Sequence, residues 1–453
     1  MIFLPRIALL SVAGLAGLLA PAVLVSADTS SDQARLGRQS LAINRGLASA
    51  TAGTVGAAAS ASTETASSAD ALVDSVGVNV HLNFNGTPYF TGYPNVKKAL
   101  LALGVRHLRD SLSGTNYKGY YDEHNELGAL GIKSIFTISV DEKADLFREY
   151  PSRMNRCFEG YENANEWDNK KNNPDWASEL KASMILLSNT VRPGKYPVIG
   201  PSLVHSESFS ALGDIHQYFD YANLHNYPGG HNPGTPGWGS PNAQGHVYGS
   251  MPWQLDLIKT NSPGLPFFST ETGYTNDLSL KGRAVPESVS AVYMPRLILN
   301  QWSSGATRTY IYELVSSMGE DFGLIHPDFT PKPAFYALSN LLKLLSDPGP
   351  AYQPGSLSYG IRGGDSALRH VLFQKRDGSY YLALWVEKSS FDVTHQQPTP
   401  VSPESVELQL PAGNKVTQYQ WDNAGNVTPT QLVSGSTLPL SVSDNLMILK
   451  ISK

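Results

Sequence analysis

The chain has 453 residues, of which 41% are apolar and 16% are charged. This balance excludes a disordered chain and predicts a sizeable core, in one large domain plus a smaller one. The net charge is −5, from 34 basic and 39 acidic residues. There is no long basic run, and we expect no nucleic acid partner because phosphate binding needs clustered Lys and Arg.

The N-terminus has the pattern of a signal peptide over residues 1–27. Arg6 precedes an apolar run from Ile7 to Val25, and the small residues that end at Ala27 form a cleavage site. A membrane anchor is the alternative, and Pro21 and the Ala-rich content favour cleavage. We therefore expect a secreted, periplasmic or cell-surface protein that does not stay in the membrane after cleavage.

Residues 28–70 are predicted to form a low-complexity linker. The stretch 48–70 is rich in Ala, Ser, Thr and Gly, and such a composition buries too little apolar surface to offset chain entropy. Cys157 is the one cysteine of the chain, so neither an intramolecular disulfide nor a cysteine-based metal site is expected. Its place at the start of an apolar run indicates a buried core thiol.

From residue 76 onward, short apolar runs alternate with amphipathic helical stretches, which is typical of βα units. Eight such units predict a (β/α)8 barrel over residues 71–346. An open doubly wound sheet is the alternative, but it often carries a Gly-rich phosphate loop, and no such motif occurs here. The predicted strands are 76–82, 105–111, 132–138, 157–163, 197–203, 221–227, 266–272 and 308–314.

The last part of the chain, residues 347–453, has a different pattern. Apolar and polar residues alternate in short runs such as YYLALWVEK and NLMILKISK, and turn signals such as RDGS and DNAGN separate them. Alternation with period two is typical of strands with one buried face. We predict a small antiparallel β-sandwich domain that follows the barrel.

Polar side chains gather at the ends of the predicted barrel strands. The active site of a (β/α)8 barrel lies at the carboxyl ends of its strands, and glycosidic cleavage needs a proton donor together with a nucleophile or base. Carboxylates at three strand ends fit that chemistry. The residues at these ends are His81, Asn83, Arg109, Asp110, Asn163, Asn165, Glu166, His225, Asn226, Tyr227, Glu271 and Glu313.

Four motifs, which follow one another along the chain in the expected order, resemble those of the clan-A retaining glycoside hydrolases. ENANEWD (162–168) is similar to the Asn-Glu motif after the fourth strand, and STETGY (269–274) is similar to the nucleophile segment of the seventh strand. LHNYPGG (224–230) resembles the His-x-Tyr element of the sixth strand, and the stretch 312–338, from YELVSS to FYAL, resembles the eighth strand end and the helix that follows it. The resemblance covers about residues 76 to 345 and implies a poly- or oligosaccharide substrate.

The resemblance also implies roles for individual residues. Glu166 would be the acid/base, and Glu271 would be the nucleophile that forms a glycosyl-enzyme. Arg109 and Tyr227 would keep Glu271 ionised, and Asn165 would bind the sugar 2-hydroxyl. His225 would complete the network around the acid/base or the sugar. No cofactor and no metal are expected, and the protein is expected to act as a monomer.

Several assignments stay open at this level. Glu159 and Glu162 compete with Glu166 for the acid role, and Glu313 is as well suited to a substrate-positioning or structural role as to a catalytic one. His81 and Asn83 are candidate sugar contacts, with a core role for His81 as the rival. Trp238, in a Gly/Pro-rich loop, is a candidate stacking platform. A carbohydrate-binding protein on a barrel without activity and an anchored cell-surface protein are the alternative functions.

Overall fold

The computed structural model describes residues 62–112, 119–169, 173–192, 194–317, 319–433 and 435–453. The predicted signal peptide and residues 28–61 of the predicted linker lie outside these ranges. Among the described residues, no helix combines the length and the apolar content that crossing a bilayer requires.

Eight parallel strands form the barrel, and each of them overlaps a predicted strand, although most are shorter than predicted. Their order in the sheet is β7-β6-β5-β4-β3-β10-β9-β8, and a parallel bridge between Ile199 and Tyr221 joins the two outer strands, so the barrel is nearly closed. The predicted (β/α)8 fold is confirmed. The strands are β3 (Val76–Asn79), β4 (His107–Ser111), β5 (Lys133–Thr137), β6 (Phe158–Glu162), β7 (Val198–Ile199), β8 (Ala222–His225), β9 (Phe267–Thr272) and β10 (Ala306–Ile311).

The helices follow the barrel strands and cover the sheet from outside. Helix α3 illustrates the local signals, since a proline lies in its first turn and Gly104 ends it in the left-handed conformation that glycine adopts without strain. The helices are α1 (Ala69–Asp74), α2 (Pro88–Thr91), α3 (Tyr93–Leu103), α4 (Tyr120–Ala129), α5 (Ala144–Arg153), α6 (Trp176–Val191), α7 (Ser206–Leu212), α8 (Met251–Asn261), α9 (Glu287–Ser303) and α10 (Pro333–Leu345).

The inside of the barrel is packed in layers of different polarity. Ile135, Ile199, Phe268 and Tyr310 form a buried apolar cluster, as expected for a barrel whose interior is filled by side chains. Toward the amino ends of the strands lies a charged layer, in which the carboxylate of Glu159 contacts Arg308 at 2.9 Å and His107 at 2.8 Å. The polar residues at the opposite, carboxyl ends of the strands form the candidate site.

The C-terminal domain is an antiparallel β-sandwich, as predicted. Two strands from before the barrel, β1 (Ser62–Thr65) and β2 (Ser67–Ser68), also belong to it. Its two sheets have the strand orders β1-β11-β16-β19 and β18-β17-β20-β13-β12-β2, and alternate side chains of β19 and β16 point into the core between them. Its strands from the C-terminal part are β11 (Ser356–Gly363), β12 (Leu368–Gln374), β13 (Tyr380–Val386), β14 (Phe391–Asp392), β15 (Gln397–Pro398), β16 (Glu404–Gln409), β17 (Lys415–Trp421), β18 (Val427–Leu432), β19 (Thr437–Val442) and β20 (Met447–Ser452).

The described end of the predicted linker is not a linker. Residues Ser62–Thr65 form β1, which pairs with β11, and Ser67–Ser68 form β2, which pairs with β12. The residues are polar because both are edge strands, and β11 and β12 supply the backbone partners that stabilise them. The expectation of flexible chain is therefore wrong for residues 62–70, where Ala69 already begins α1.

Cys157 is fully buried just before β6, and its sulfur carries no disulfide. Burial raises the pKa of its thiol to about 12, so the thiolate that a nucleophilic cysteine needs is disfavoured. The expectation of a core thiol is confirmed.

Candidate active site

The carboxyl ends of β4, β6, β8 and β9 bring the predicted residues together in one cluster. Arg109 lies within β4, Glu166 follows β6 by four residues, His225 ends β8, and Glu271 is the last residue but one of β9. Parallel strands of a barrel all end at the same face, which is why residues far apart in the chain meet here.

Glu271 is bound by two donors. Arg109 Nη1 donates to its Oε1 at 2.7 Å, and the Tyr227 hydroxyl donates to its Oε2 at 2.8 Å. Burial lowers the pKa of Arg109, but Glu162 and Glu271 raise it well above its ordinary value overall, so the guanidinium stays charged. The Glu271 side chain is 10% exposed, and both contacts stabilise its negative form.

Glu166 is the more accessible of the two carboxylates, with 27% of its side chain exposed. Its backbone lies in the left-handed region, with φ of 45°, where residues other than glycine are uncommon. Its N–H donates to the Ser202 hydroxyl at 3.2 Å. This conformation places a Glu166 oxygen 2.7 Å from His225 Nδ1.

The two carboxylates face each other. One oxygen of Glu166, one oxygen of Glu271 and a ring nitrogen of His225 all lie within 4.8 Å of one another. These three side chains are also close enough to hold a cation between them, and Arg109 already places positive charge 2.7 Å from Glu271.

Glu162, which the sequence left as a competitor for the acid role, is instead the partner of Arg109. Its oxygens accept from Arg109 Nε at 2.6 Å and from Nη2 at 2.8 Å, and its side chain is inaccessible to solvent. Glu159 lies in the charged layer near the amino ends of the strands. A register shift between Phe158 and Gly160 in β6 explains how residues 159 and 162 both face the barrel interior.

A chain of hydrogen bonds joins Glu162 to His225. Asn223 Nδ2 donates to Glu162 Oε1 at 3.0 Å. The Thr270 hydroxyl has two acceptors in front of it, Asn223 Oδ1 at 2.7 Å and Glu162 Oε1 at 3.1 Å, so it acts as a donor on this side. The oxygen of Thr270 then accepts from His225 Nε2 at 3.0 Å. This arrangement assigns a hydrogen to Nε2 and leaves Nδ1 to share a proton with Glu166.

The charge state of His225 follows from its neighbours. Burial lowers its pKa, whereas Glu271 and the hydrogen bond with Glu166 raise it, and the net direction is upward. The ring faces the neutral Thr270 hydroxyl. It also faces three charged groups, which are Glu166 from the loop after β6, Glu271 from β9 and Arg109 from β4. The imidazole thus binds a proton readily beside the two carboxylates.

Asn165 and Asn79 hold the guanidinium from two further sides. Arg109 Nη2 donates to Asn165 Oδ1 at 2.7 Å, and Nη1 donates to Asn79 Oδ1 at 2.9 Å. Asn165 is exposed at the cleft. Sequence reasoning missed Asn79 and Thr270, although both lie in predicted strands.

The remaining predicted contacts lie around this cluster. Glu313 has no solvent-accessible side-chain surface, and its oxygens accept from the Tyr89 hydroxyl at 3.1 Å and from the Ser317 N–H at 3.2 Å. It therefore lies beneath the cleft surface, beside His81 Nε2 at 3.5 Å. Asn83 Nδ2 donates to the Ser111 carbonyl at 3.3 Å, after the end of β3.

Aromatic rings border the cleft next to these residues. Tyr312, which sequence reasoning did not single out although it directly follows β10, lies with its ring centroid 6.5 Å from Tyr227 and 5.7 Å from His81. Trp238 is 39% exposed, and His231 stacks on its indole at 4.4 Å. One indole face is thus covered, and sugar stacking on Trp238 stays a prediction.

No model of a known protein family matches the chain, and no curated protein matches it. Among solved structures, an active-site mutant of the Rhizomucor miehei β-1,3-glucanosyltransferase in complex with laminaritriose has 13% identity and a TM-score of 0.42, over 57% of this chain and 96% of that chain. An FMN-binding β-glucuronidase from Facaelibacterium prausnitzii has 13% identity and a TM-score of 0.41, over 84% and 55% of the two chains. A GH128 endo-β-1,3-glucanase from Amycolatopsis mediterranei has 15% identity and a TM-score of 0.37, over 59% and 99%.

Proposed function

We propose that this protein is a secreted retaining glycoside hydrolase that cleaves a poly- or oligosaccharide by double displacement. The observation that carries the proposal is the approach of Glu166 and Glu271 oxygens to within 4.8 Å. Retaining enzymes hold their two carboxyl groups about 5–5.5 Å apart, whereas inverting enzymes hold them about 6.5–9.5 Å apart so that a water molecule fits between.

In the first step, Glu271 attacks the anomeric carbon while Glu166 protonates the leaving oxygen. Arg109 and Tyr227 each bind one oxygen of Glu271, which orients the carboxylate for attack. The proton that Glu166 donates is the one that it shares with His225 Nδ1. The products of this step are a glycosyl-enzyme ester on Glu271 and the released alcohol.

In the second step, Glu166 acts as the base. It removes a proton from a water molecule, whose oxygen attacks the anomeric carbon and releases Glu271. The proton returns to the pair formed by Glu166 and His225, which restores the starting state. Two inversions at one carbon retain its configuration.

Two substitutions test the proposal. Glu271→Gln removes the nucleophile with little change in shape, and we expect no turnover on a panel of aryl glycosides and polysaccharides, with wild-type circular dichroism. Glu166→Ala should keep activity toward aryl glycosides with good leaving groups, and azide should raise its rate by intercepting the glycosyl-enzyme. Wild-type rates in Glu271→Gln would refute the nucleophile assignment, and an inverted product anomer by NMR would refute the retaining mechanism.

Export is part of the proposal and has its own test. The signal-like segment of residues 1–27 supports it. Expression of the full chain followed by N-terminal sequencing of the exported protein should give a mature start at Asp28. Retention of the uncleaved chain in the membrane fraction would contradict secretion.

A further inference from the structure

A segment of the sandwich, here named the sandwich arm (residues 387–398), reaches the loops of the catalytic face. It starts with Glu387 directly after β13 and includes the short strands β14 and β15. The loop after β8 (228–234) and the loop after β9 (274–284) both contact it. These two loops continue directly from Tyr227 and nearly directly from Glu271.

Glu387 is the hub of the contact. Its side chain is 1% exposed and forms an ion pair with the fully buried Arg296 of α9. Asn300 Nδ2, also on α9, donates to its Oε2 at 2.8 Å. Burial raises the pKa of Glu387, but Arg296 lowers it by more than burial raises it. The pKa is therefore below its ordinary value, and the carboxylate is charged.

The same carboxylate binds the loop after β8. Asn232 Nδ2 donates to Glu387 Oε1 at 2.8 Å, and Asn232 is 6% exposed. Gly234 lies so close that a Cβ there would be 2.6 Å from Glu387 Cγ. The loop backbone is thus packed directly on a charged residue of the other domain.

The arm reaches the loop after β9 as well. The Val393 carbonyl accepts from the Gly282 N–H at 3.1 Å, and Gln396 Nε2 donates to the Leu278 carbonyl at 2.6 Å. Tyr274, three residues beyond Glu271, donates its hydroxyl to the His231 carbonyl at 2.9 Å. A continuous path therefore runs from the nucleophile strand through Tyr274 and the loop after β8 to Glu387.

We propose that the sandwich arm positions the two loops that follow Tyr227 and Glu271 in the chain, and that Asn232 and Glu387 are positioning residues for the catalytic site. The structural part of this inference stands alone, and its catalytic part rests on the proposed function. A carboxylate that is buried in one domain and bound by donors from two elements of the other fixes their relative positions, because a buried charge is costly to leave unpaired.

Two matched variants test the inference in the full-length protein. Asn232→Leu and Asn300→Leu each remove one amide hydrogen bond to Glu387, from the loop and from α9 respectively. We expect faster amide hydrogen exchange over residues 228–234 and 274–284 in Asn232→Leu only. We also expect kcat/KM on an aryl glycoside to fall about tenfold in that variant, since small displacements of catalytic groups are costly.

Tyr274→Phe provides a second, milder variant. It removes one hydroxyl and should speed exchange in both loops, with the sandwich strands unchanged. Equal exchange and equal kinetics in Asn232→Leu and Asn300→Leu would overturn the inference, because the contact would then serve stability alone. A wild-type protein without activity on any glycoside would refute the proposed function, while the exchange comparison would still decide whether the arm orders the loops.

Discussion

Thr270→Val is the sharpest probe of the proton that Glu166 and His225 share. The substitution keeps the shape of the side chain and removes the hydroxyl that accepts from His225 Nε2 at 3.0 Å and donates to Asn223 Oδ1 at 2.7 Å. Without that acceptor, the imidazole can carry its hydrogen on Nδ1 and donate it to an ionised Glu166. The loss of the acceptor for Nε2 and the move of the hydrogen to Nδ1 both make the Glu166–His225 pair a weaker proton donor.

The size of the effect follows from the hydrogen bond that is lost. A hydrogen bond to a charged group contributes about 1.5–3 kcal/mol, and one between neutral groups about 1 kcal/mol. The difference, about 0.5–2 kcal/mol, corresponds to roughly 0.4–1.5 pH units. Since the hydrogen bond favours the protonated imidazole, its loss lowers the pKa of His225 and moves the basic limb of the kcat/KM profile to lower pH by that amount.

The assay is the pH dependence of kcat/KM on an aryl glycoside that the wild type hydrolyses. Thr270→Ser keeps the hydroxyl and should leave the basic limb in place. The unpaired Asn223 oxygen should also lower the free energy of unfolding of Thr270→Val by about 1–3 kcal/mol. An unchanged basic limb in Thr270→Val, or an equal shift in Thr270→Ser, would refute the hydrogen-bond chain.

Two buried carboxylates give predictions for stability against pH. Burial raises the pKa of Glu313 to about 8, so folding keeps it protonated where the unfolded chain ionises. Glu313→Gln should match the wild type near pH 4.5 and exceed it by about 3 kcal/mol at pH 7 in urea unfolding; a constant difference would contradict this. Burial raises the pKa of Glu159, but the contacts with Arg308 and His107 outweigh burial and lower this pKa to about 2. The stability from this lowered pKa is present above pH ~4.5 and lost toward pH 2. Glu159→Gln should therefore remove about 3 kcal/mol at pH 6 and almost none at pH 2, and equal losses at both would rule out the ion pair.

The sequence predicted the barrel and much of the candidate site for one physical reason. Parallel strands of a barrel place their carboxyl ends on one face. Polar residues at the strand ends therefore lie close together, independently of the conformation of the loops. Arg109, Glu166, His225, Tyr227 and Glu271 were named on that basis, and the structure brings them together.

Other features depend on geometry that local sequence does not encode. Glu159 and Glu162 both face the interior because of the register shift in β6, and a regular strand would have turned one of the two away. The role of Glu313 was open from the sequence, and the structure shows that Tyr89 and Ser317 enclose its side chain beneath the cleft. β1 and β2 could not be predicted from STETASS, because their pairing partners lie some 290 to 310 residues further along the chain.

The strands β1 and β2 make the barrel an insertion within the sandwich. The chain enters the barrel from two sandwich strands and returns to the sandwich after α10, where Trp421 Nε1 donates to the Ala337 carbonyl at 3.1 Å. Truncation near residue 347 would leave both entry strands unpaired and uncover α10. Any graft of this catalytic barrel onto another scaffold must therefore carry both flanks, and the two halves of the molecule should melt as one cooperative unit.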